Sequence, residues 1–129
     1  MKKISNRIVA VLTSLAMLLG VSFAVGASSA SADDNTCWST YTCWWANTNF
    51  TGTYYASGMD QSQWPSTFQN KDKSVWNDGT SGQAIHVFRY NLQVGEVYCV
   101  KKGSKKTIPS DERNYGSSHR WTFTTSGCL

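Results

Sequence analysis

An internal repeat with a period of about 43 residues is the feature that most constrains how this 129-residue chain can fold. In the first copy Trp45 is followed seven positions later by Gly52, and in the second copy Phe88 is followed seven positions later by Gly95. Each glycine leads into a segment that contains tyrosine, a residue typical of strands. The repeat therefore predicts two copies of one β-motif.

Two serines and one aromatic residue extend the repeat. Ser74 and Ser118, which are 44 residues apart, each open a short run late in their copy. Phe50 lies two positions before the first glycine, whereas Gln93 stands at the corresponding place in the second copy. A glycine in this motif permits a sharp backward bend, because glycine adopts backbone angles that other residues avoid. The missing aromatic weakens the second copy, but its glycine is retained.

The first 32 residues have the pattern of a cleaved secretory signal peptide. A basic start precedes a mostly apolar stretch from residue 8 to residue 25, and Ala30-Ser31-Ala32 supplies a small-residue cleavage site. The alternative is a membrane anchor, because the apolar stretch is near spanning length. The polar residues that follow favour cleavage, which would leave a secreted, extracellular chain over residues 33–129 that forms a single domain.

Charge and cysteine content narrow the class of protein further. The signal segment carries three positive charges, so cleavage lowers the net charge from +4 to +1, and charge gives no support for nucleic-acid binding. All four cysteines follow that segment, which indicates two disulfides in an exported chain. Three pairings are open. The pairing Cys37–Cys43 with Cys99–Cys128 is favoured because each bond stays within one repeat. A zinc site is disfavoured, since no cysteines have CxxC spacing.

Short aromatic and β-branched runs, separated by Gly, Asn, Asp and Ser, predict an all-β chain. This many short strands indicates an antiparallel sandwich of two Greek keys, the first over about residues 37–80 and the second over about residues 81–129. The turn-forming residues 77–82 would join them. A short helical turn is expected within Met59–Phe68, before Pro65. The predicted strands are Thr42–Ala46, Thr53–Ala56, Ser74–Trp76, Ala84–Tyr90, Glu96–Val100 and His119–Thr125.

All six tryptophans follow the signal segment, and a small sandwich poor in Leu and Ile needs large side chains in its core. Trp45, Trp76 and Trp121 fit core positions. Because neighbours in a strand point to opposite faces, either Trp44 or Trp45 is expected to face solvent or a partner. The tryptophans less well placed for burial are Trp38, Trp44 and Trp64.

The order and spacing of these motifs resemble a known fold family. Trp45-x4-Phe50-x-Gly52 resembles the signature of a βγ-crystallin Greek key. Within that fold, the export signal, the Cys37-x5-Cys43 pair and the segment 74–80 leading into residues 87–90 are similar to the secreted microbial metalloproteinase inhibitors. The resemblance implies a disulfide-stapled, βγ-crystallin-like sandwich that inhibits a thermolysin-like protease. It assigns structural roles to Trp45, Phe50, Gly52, Ser74, Phe88, Gly95 and Ser118.

Calcium sites of the crystallin type resemble an acidic or amide pair, two free positions, a hydroxyl residue and a serine. Asn70 and Asn114 stand in the second place of that pattern. However, Lys73 replaces a hydroxyl residue in the first copy, and Arg113 begins the second. Calcium takes about six to eight oxygen ligands, so a cation in the shell removes a ligand and repels the ion. We expect calcium binding to be absent or weak, and we expect no other cofactor.

The resemblance also implies an inhibitory loop, because the family presents a reactive Cys-Val bond that a disulfide holds rigid. Cys99-Val100 stands at the matching place, followed by Lys101 and Lys102. The family's disulfide closes within a few residues, whereas the partner here is the distant Cys128, so a looser loop is expected. The alternative interpretation is that Cys99 only staples a strand.

Four lysines at positions 101, 102, 105 and 106 surround Gly103 and predict a basic hairpin tip. Such a tip is either a solvated turn or an element that docks on an acidic protease rim or an anionic wall polymer.

An enzyme is not expected from this sequence. His86 and His119 lack the spacing of a metal or catalytic motif, and no serine lies in a GxSxG context. The leading hypothesis is a secreted, monomeric inhibitor whose partner is an extracellular protease. The rival is a cell-wall or carbohydrate-binding module, or a crystallin-like secreted antimicrobial protein, supported by the surplus tryptophans and the lysines. A durable structural protein without a partner is a third alternative.

Overall fold

The protein is described by a computed structural model over residues 36–129, so the predicted signal peptide and its cleavage site lie outside the described residues. The strands are β1 Thr42–Trp45, β2 Tyr54–Ser57, β3 Ser74–Asn77, β4 Ala84–Tyr90, β5 Val94–Val100, β6 Lys105–Thr107 and β7 Ser118–Thr122. A single 3₁₀ turn over Asn91–Gln93 joins β4 to β5. The first sheet has the strand order β2-β1-β3-β6, and the second has the order β5-β4-β7. All the strand pairs are antiparallel, so the predicted all-β fold class is confirmed.

The two sheets exchange chain segments across the repeat. β6 follows β5 in sequence but pairs with β3 of the first sheet, where Lys105 lies opposite Trp76. In the reverse direction Gln61 forms an isolated bridge with His119 of β7. Residues 101–104 therefore cross between the sheets. The prediction that they form the tip of a basic hairpin is wrong, because the strands on either side of them do not pair with each other. The physical reason is that β3 offers β6 a free edge for hydrogen bonding, so β6 does not fold back onto β5.

Most strands lie where the sequence predicts them, and β4 has the predicted bounds. The sequence analysis missed β6, because Lys-Lys-Thr has no apolar residue to mark an inward face. A helical turn was predicted before Pro65, but the turn begins at this proline. Phe68 and Gln69 donate backbone hydrogen bonds to the Pro65 carbonyl. Proline suits the first position of such a turn because its φ is fixed and its missing N–H is not needed there.

Trp44 and Trp45 point to opposite faces of β1, yet both side chains are completely buried, so the prediction that one faces solvent is wrong. Trp44 lies in the main core between the sheets, with its ring centroid 4.8 Å from that of Trp64. Trp45 lies in a second cluster with Phe50 and the Cys37–Cys43 disulfide. Both faces of this strand are covered, because the folded segment around Phe50 packs over the outer one.

The remaining tryptophans also differ from prediction in part. Trp64 is buried, and its polar atom is satisfied because the indole N–H donates a 2.6 Å hydrogen bond to Nδ1 of His119. Trp76 and Trp121 are only half-buried, although core positions were predicted for them. Trp38 is 70% exposed, as its poor fit to a core position indicated.

Two serines close the two copies of the repeat in the same way. Ser74 Oγ accepts a hydrogen bond from the Phe50 N–H at 3.2 Å and donates one to a backbone carbonyl at 2.7 Å. Ser118 Oγ accepts from the Gln93 N–H at 3.1 Å and donates to a carbonyl at 2.6 Å. Phe50 and Gln93 both have a φ of 61°. The left-handed conformation and the hydrogen bond to serine at this position are therefore kept without the aromatic side chain, because the serine bonds to the main chain.

Candidate functional site

Cys99 and Val100, the predicted reactive bond, lie inside β5, where their exposed fractions are 7% and 0%. A disulfide joins Cys99 to Cys128, as the favoured pairing predicted. A reactive bond has to project from the surface to enter a peptidase cleft. The structure therefore does not place Cys99-Val100 in a projecting loop, because the strand is packed against the core. Of the predicted segment only Lys101 and Lys102 are exposed.

The second favoured disulfide closes the segment Cys37–Cys43, which we call the disulfide loop. Trp38 projects from it, and its ring meets the ring of Tyr41 edge-on, with centroids 5.7 Å apart. Thr40 has a φ of 81°, a left-handed conformation that is uncommon for a residue other than glycine. The disulfide and the aromatic contact hold the backbone in this form, so an exposed tryptophan stands on a restrained support.

Backbone hydrogen bonds attach the disulfide loop to the chain at the end of β3. The Thr40 N–H donates to the Asp78 carbonyl at 3.0 Å, and the Asp78 N–H returns a bond of 3.0 Å to the loop. Gly103 belongs to the crossing segment 101–104, which we call the lysine turn, and its N–H donates to the Asn77 carbonyl at 2.7 Å. The disulfide loop and the lysine turn therefore both attach to the end of one strand.

The lysines of this region have different environments. Lys101 and Lys102 are exposed in the lysine turn, and Nζ of Lys102 donates to the Thr80 carbonyl at 3.2 Å. Lys105 lies in β6, where Nζ is 4.4 Å from the ring centroid of Trp76 in a cation–π contact. The two lysines of the turn are therefore exposed to solvent beside the disulfide loop, whereas the side chain of Lys105 packs on an aromatic ring.

The far end of β4 carries a second group of exposed apolar residues, which the sequence analysis missed. Tyr90, Leu92 and Val94 surround the β4–β5 connection, and Leu92 is 77% exposed. The N–H of Leu92 donates to the Ser62 carbonyl at 2.7 Å. The sequence signal that could have identified this group is the alternation of apolar and polar residues from Tyr90 to Val94. Thr40 of the disulfide loop lines a cavity with Thr80 and Gln83, which precede β4, whereas Tyr90 ends that strand. This group therefore lies at the opposite end of β4 from the disulfide loop.

Asn70 and Asn114, the remnants of the crystallin calcium pattern, occupy equivalent positions in the two copies. Their φ values are 57° and 61°, and their N–H groups donate across the repeat to the carbonyls of Gly116 and Asp72, respectively. Both lie beside an open cavity of about 510 Å³. Arg113 stands next to Asn114 and donates its Nε–H to a backbone carbonyl.

The two histidines make hydrogen bonds through both ring nitrogens. Nδ1 of His86 lies 2.8 Å from Oε1 of Glu96, and its Nε2 lies 2.8 Å from a backbone carbonyl. His119 lies between Trp64 and another carbonyl. Among residues 36–129, His86, Cys99 and Cys128 are the one cluster of residue types that could bind a metal ion. The two sulfurs form a disulfide, however, and are not thiolate ligands.

The exchanged strands, the paired serines and the left-handed folded segments define a βγ-crystallin-like domain of two Greek keys. A solved βγ-crystallin from an archaeon is similar over 64% of this chain and 96% of its own, with a TM-score of 0.50 and 17% identity. At that identity the similarity shows the fold alone. No curated protein matches the chain. Residues 30–100 match peptidase inhibitor family I36, so the chain belongs to that family.

Family membership confirms the function class that the sequence resemblance implied, an inhibitor of metalloproteinases, and a peptidase is accordingly its partner. Among the described residues no helix is long and apolar enough to cross a membrane. The exposed candidates for contact with that peptidase include Trp38 and the lysine turn, and the group around Leu92.

Proposed function

We propose that this chain is a secreted, monomeric inhibitor of a thermolysin-like metalloproteinase, that it performs no chemistry of its own, and that the disulfide loop Cys37–Cys43 enters the cleft. The observation that carries the proposal is the exposed indole of Trp38 on a segment closed by a disulfide. The Cys99-Val100 bond is not part of it. Two disulfides also suit a chain that works outside the cell.

A restrained loop suits inhibition for a thermodynamic reason. Binding costs free energy whenever a flexible segment has to be ordered, and a segment that is ordered beforehand avoids that cost. Here the disulfide, the contact between Trp38 and Tyr41, and the hydrogen bonds to Asp78 already restrain the loop. Tryptophan is enriched among the residues that contribute most to interfaces, because it buries a large surface with few rotatable bonds.

A cell-wall or carbohydrate-binding function is the second candidate, because Trp38 and the exposed Lys101 and Lys102 could contact a polymer. Two of the three tryptophans that supported it, Trp44 and Trp64, are buried in the core and offer no stacking surface. We further propose that calcium is not required for inhibition, because Lys73 and Arg113 stand in the degenerate pattern.

The test is an active-site titration of the oxidised, exported protein against a thermolysin-like metalloproteinase, with a serine protease as the control enzyme. We expect stoichiometric, slowly reversible inhibition of the metalloproteinase alone. Trp38→Ala should weaken the inhibition constant by about 30-fold or more, which corresponds to a hot-spot loss of roughly 2 kcal/mol. Leu92→Ala is the matched control, because its side chain is equally exposed at the other end of the domain.

Two results would contradict the proposal. If the unmodified protein does not inhibit the metalloproteinase at micromolar concentration, the proposed specificity for thermolysin-like enzymes is wrong. Inhibition that is unchanged by Trp38→Ala, and weakened by Leu92→Ala, would assign the cleft contact to the group around Leu92 instead. Binding of the protein to insoluble wall polymer that is lost in Trp38→Ala, without inhibition, would favour the second candidate.

A further inference from the structure

The Cys99–Cys128 disulfide has a histidine beside it, to which the proposed inhibition gives no role. His86 and Cys99 lie directly opposite each other in the register of β4 and β5, so their side chains share one face of the sheet. Nε2 of His86 lies 4.0 Å from Sγ of Cys128. All three side chains are buried, and one donor atom from each lies within 4.8 Å of the other two. When the two sulfurs are thiols, these residues become a ligand set of two cysteines and one histidine.

The spacing of these donor atoms is close to that of a tetrahedral zinc site. Zinc binds sulfur at about 2.3 Å and imidazole nitrogen at about 2.0–2.1 Å, which places two sulfurs about 3.8 Å apart and a sulfur and a nitrogen about 3.6 Å apart. The observed distance between Nε2 of His86 and Sγ of Cys128 is 4.0 Å. Two sulfurs that are no longer bonded move apart to van der Waals contact, which is similar to the spacing that zinc requires. The ligands therefore need little movement once the disulfide is open.

The main chain, as well as the disulfide, holds the carboxyl-terminal segment against β5. The N–H of Leu129 donates to the Cys99 carbonyl at 2.8 Å, and the N–H of Lys101 donates to the Leu129 carbonyl at 3.0 Å. The N–H of Cys128 donates to the Thr125 carbonyl at 3.3 Å, which closes a turn in the same segment. These hydrogen bonds do not depend on the bond between the sulfurs, so they keep Cys128 beside Cys99 when that bond opens.

Glu96 supplies the outer interaction that a zinc-binding histidine uses. Its Oε1 lies 2.8 Å from Nδ1 of His86. Histidine ligands of zinc almost always donate the N–H of their other ring nitrogen to a carboxylate, a carbonyl or water, which fixes the tautomer and orients the ring. With Nδ1–H donating to Glu96, the lone pair is on Nε2, the nitrogen near Cys128. The Glu96 side chain is 47% exposed, so the cluster also borders the solvent from which an ion enters.

An oxygen donor and a favourable charge balance complete the cluster. The Thr124 carbonyl oxygen lies 2.8 Å from Nε2 of His86 and 3.9 Å from Sγ of Cys128, where it can serve as a fourth ligand. Two thiolates neutralise the charge of Zn²⁺, and thiolate with imidazole is a combination that suits this ion. Arg120 lies opposite His86 in β7, but its guanidinium packs over the ring of Phe88, 5.6 Å from the centroid.

We propose that the chain binds one zinc ion through Cys99, Cys128 and His86 whenever the Cys99–Cys128 disulfide is open, and that the ion then holds the carboxyl-terminal segment as the disulfide does. A newly made chain carries both cysteines as thiols, and a dithiol returns an oxidised chain to that state. In that exchange the S–S bond breaks, the dithiol supplies two electrons and two protons for two cysteine S–H bonds, and the dithiol closes to a disulfide. Zn²⁺ then displaces the two thiol protons to solvent and forms two Zn–S bonds.

The other disulfide gives a comparison within the same chain. The sulfur of Cys37 lies 3.6 Å from the Tyr41 carbonyl oxygen, and the sulfur of Cys43 lies 3.2 Å from the Tyr54 hydroxyl. In the part of the chain that the structure describes, no His, Asp or Glu joins these two sulfurs in a metal-binding cluster. Zinc should therefore distinguish the two cysteine pairs, although both become thiols under the same conditions.

The test is a titration of the exported protein, reduced with a phosphine, first with Co²⁺ and then with Zn²⁺. We expect a 1:1 cobalt complex with the visible absorption of a tetrahedral thiolate site, and zinc should displace the cobalt. At a zinc concentration of about 100 times the dissociation constant, the melting temperature of the reduced protein should rise by about 10 °C. The oxidised protein should show neither effect, because its sulfurs are not available as thiolates.

Variants of the two cysteine pairs locate the ion. Cys99→Ser with Cys128→Ser should abolish the cobalt spectrum, whereas Cys37→Ser with Cys43→Ser should retain it. A spectrum that persists in the first double variant would assign the binding to the wrong cysteine pair and overturn the proposal. If the reduced protein unfolds without metal, zinc should restore its circular dichroism spectrum, and failure to restore it would also overturn the proposal.

Variants around the histidine test whether the folded cluster, and not two thiols alone, binds the ion. Glu96→Ala should weaken zinc binding by about 10–100-fold, and His86→Gln should weaken it further because a ligand itself is lost. Asp111→Ala removes an exposed carboxylate outside the cluster and should leave the affinity unchanged. An affinity of His86→Gln equal to that of the unmodified protein would refute the site. Inhibition by the oxidised protein is a separate measurement, so its failure would leave this result unaffected.

Discussion

Tyr98 donates a 2.7 Å hydrogen bond from its phenol to the carboxylate of Asp72 inside the core. Tyr98 belongs to β5 of the second sheet, whereas Asp72 lies two residues before β3 of the first, so the bond joins the two Greek keys. The Gly116 N–H also donates to Asp72, at 2.8 Å. Burial nevertheless raises the pKa of Asp72 to about 6, and these two hydrogen bonds reduce the shift but do not cancel it.

Asp72 and His119 should make the pH dependence of stability flat in mild acid. The raised pKa of Asp72 means that its contribution is fully present below about pH 3.8 and lost as pH rises through about 6. Burial lowers the pKa of His119 to about 4, so its contribution is present above about 6.5 and lost as pH falls through about 4. Each effect is on the order of 3 kcal/mol, and they oppose each other.

Asp72→Asn should therefore reveal the pH dependence of stability that His119 contributes. Its free energy of unfolding, measured by urea denaturation from pH 7 to pH 4, should fall on acidification, while the unmodified protein stays nearly constant. His119→Gln should show the reverse, a rise on acidification, because the Asp72 contribution remains. Parallel pH profiles for all three proteins would contradict the assignment of these two shifts.

Ser74→Ala and Ser118→Ala should lower stability by similar amounts, although the residues that they hold, Phe50 and Gln93, differ completely. Each hydroxyl accepts one backbone N–H and donates to one carbonyl, and its removal leaves both without that partner. The expected loss is about 1–3 kcal/mol in each case, measured by urea denaturation. Ser110→Ala, at an exposed position, is the control. A loss confined to Ser74→Ala would contradict this expectation, because it would show that the serine stabilises only the copy that retains the aromatic residue.

Removal of each disulfide should affect stability and inhibition differently. Replacing Cys99 and Cys128 with serine opens a loop with a sequence separation of 29, which should cost about 4 kcal/mol. Replacing Cys37 and Cys43 opens a separation of 6 and should cost about 2 kcal/mol by the same argument. Below their melting temperatures, the first variant should still inhibit and the second should not, because only the second releases Trp38. Thermal melts paired with inhibition assays decide this, and equal loss of inhibition in both would contradict it.

Calcium should leave the melting temperature of the protein unchanged at millimolar concentration, because Lys73 and Arg113 oppose binding near Asn70 and Asn114. Lys73→Thr with Arg113→Asn restores the oxygen-bearing side chains of the pattern and should gain a calcium-dependent rise in melting temperature. Magnesium serves as the control ion in both proteins. A rise of several degrees with calcium in the unmodified protein would overturn the expectation.

Predictions from sequence succeeded where a few neighbouring residues decide the outcome. β4 and both disulfides agree with prediction, since β-branched and aromatic residues mark a strand and the repeat favours pairing of cysteines within one copy. The assignment of Cys99-Val100 to a projecting loop failed, because the residue types on either side of that bond do not reveal that β5 is covered by the core. Trp44 and Trp64 were misplaced for the same reason.

The sequence by itself determined the period of the repeat, most of the strand-forming segments and the family, because these follow from local spacing and residue type. Only the tertiary structure decided that β6 joins β3, that both faces of β1 are covered, and that the disulfide loop and the lysine turn attach to the end of the same strand. Those relationships join residues that are distant in sequence, such as Thr40 with Asp78 and Asn77 with Gly103. They depend on which surfaces remain free once the two keys have packed, and no local pattern records that.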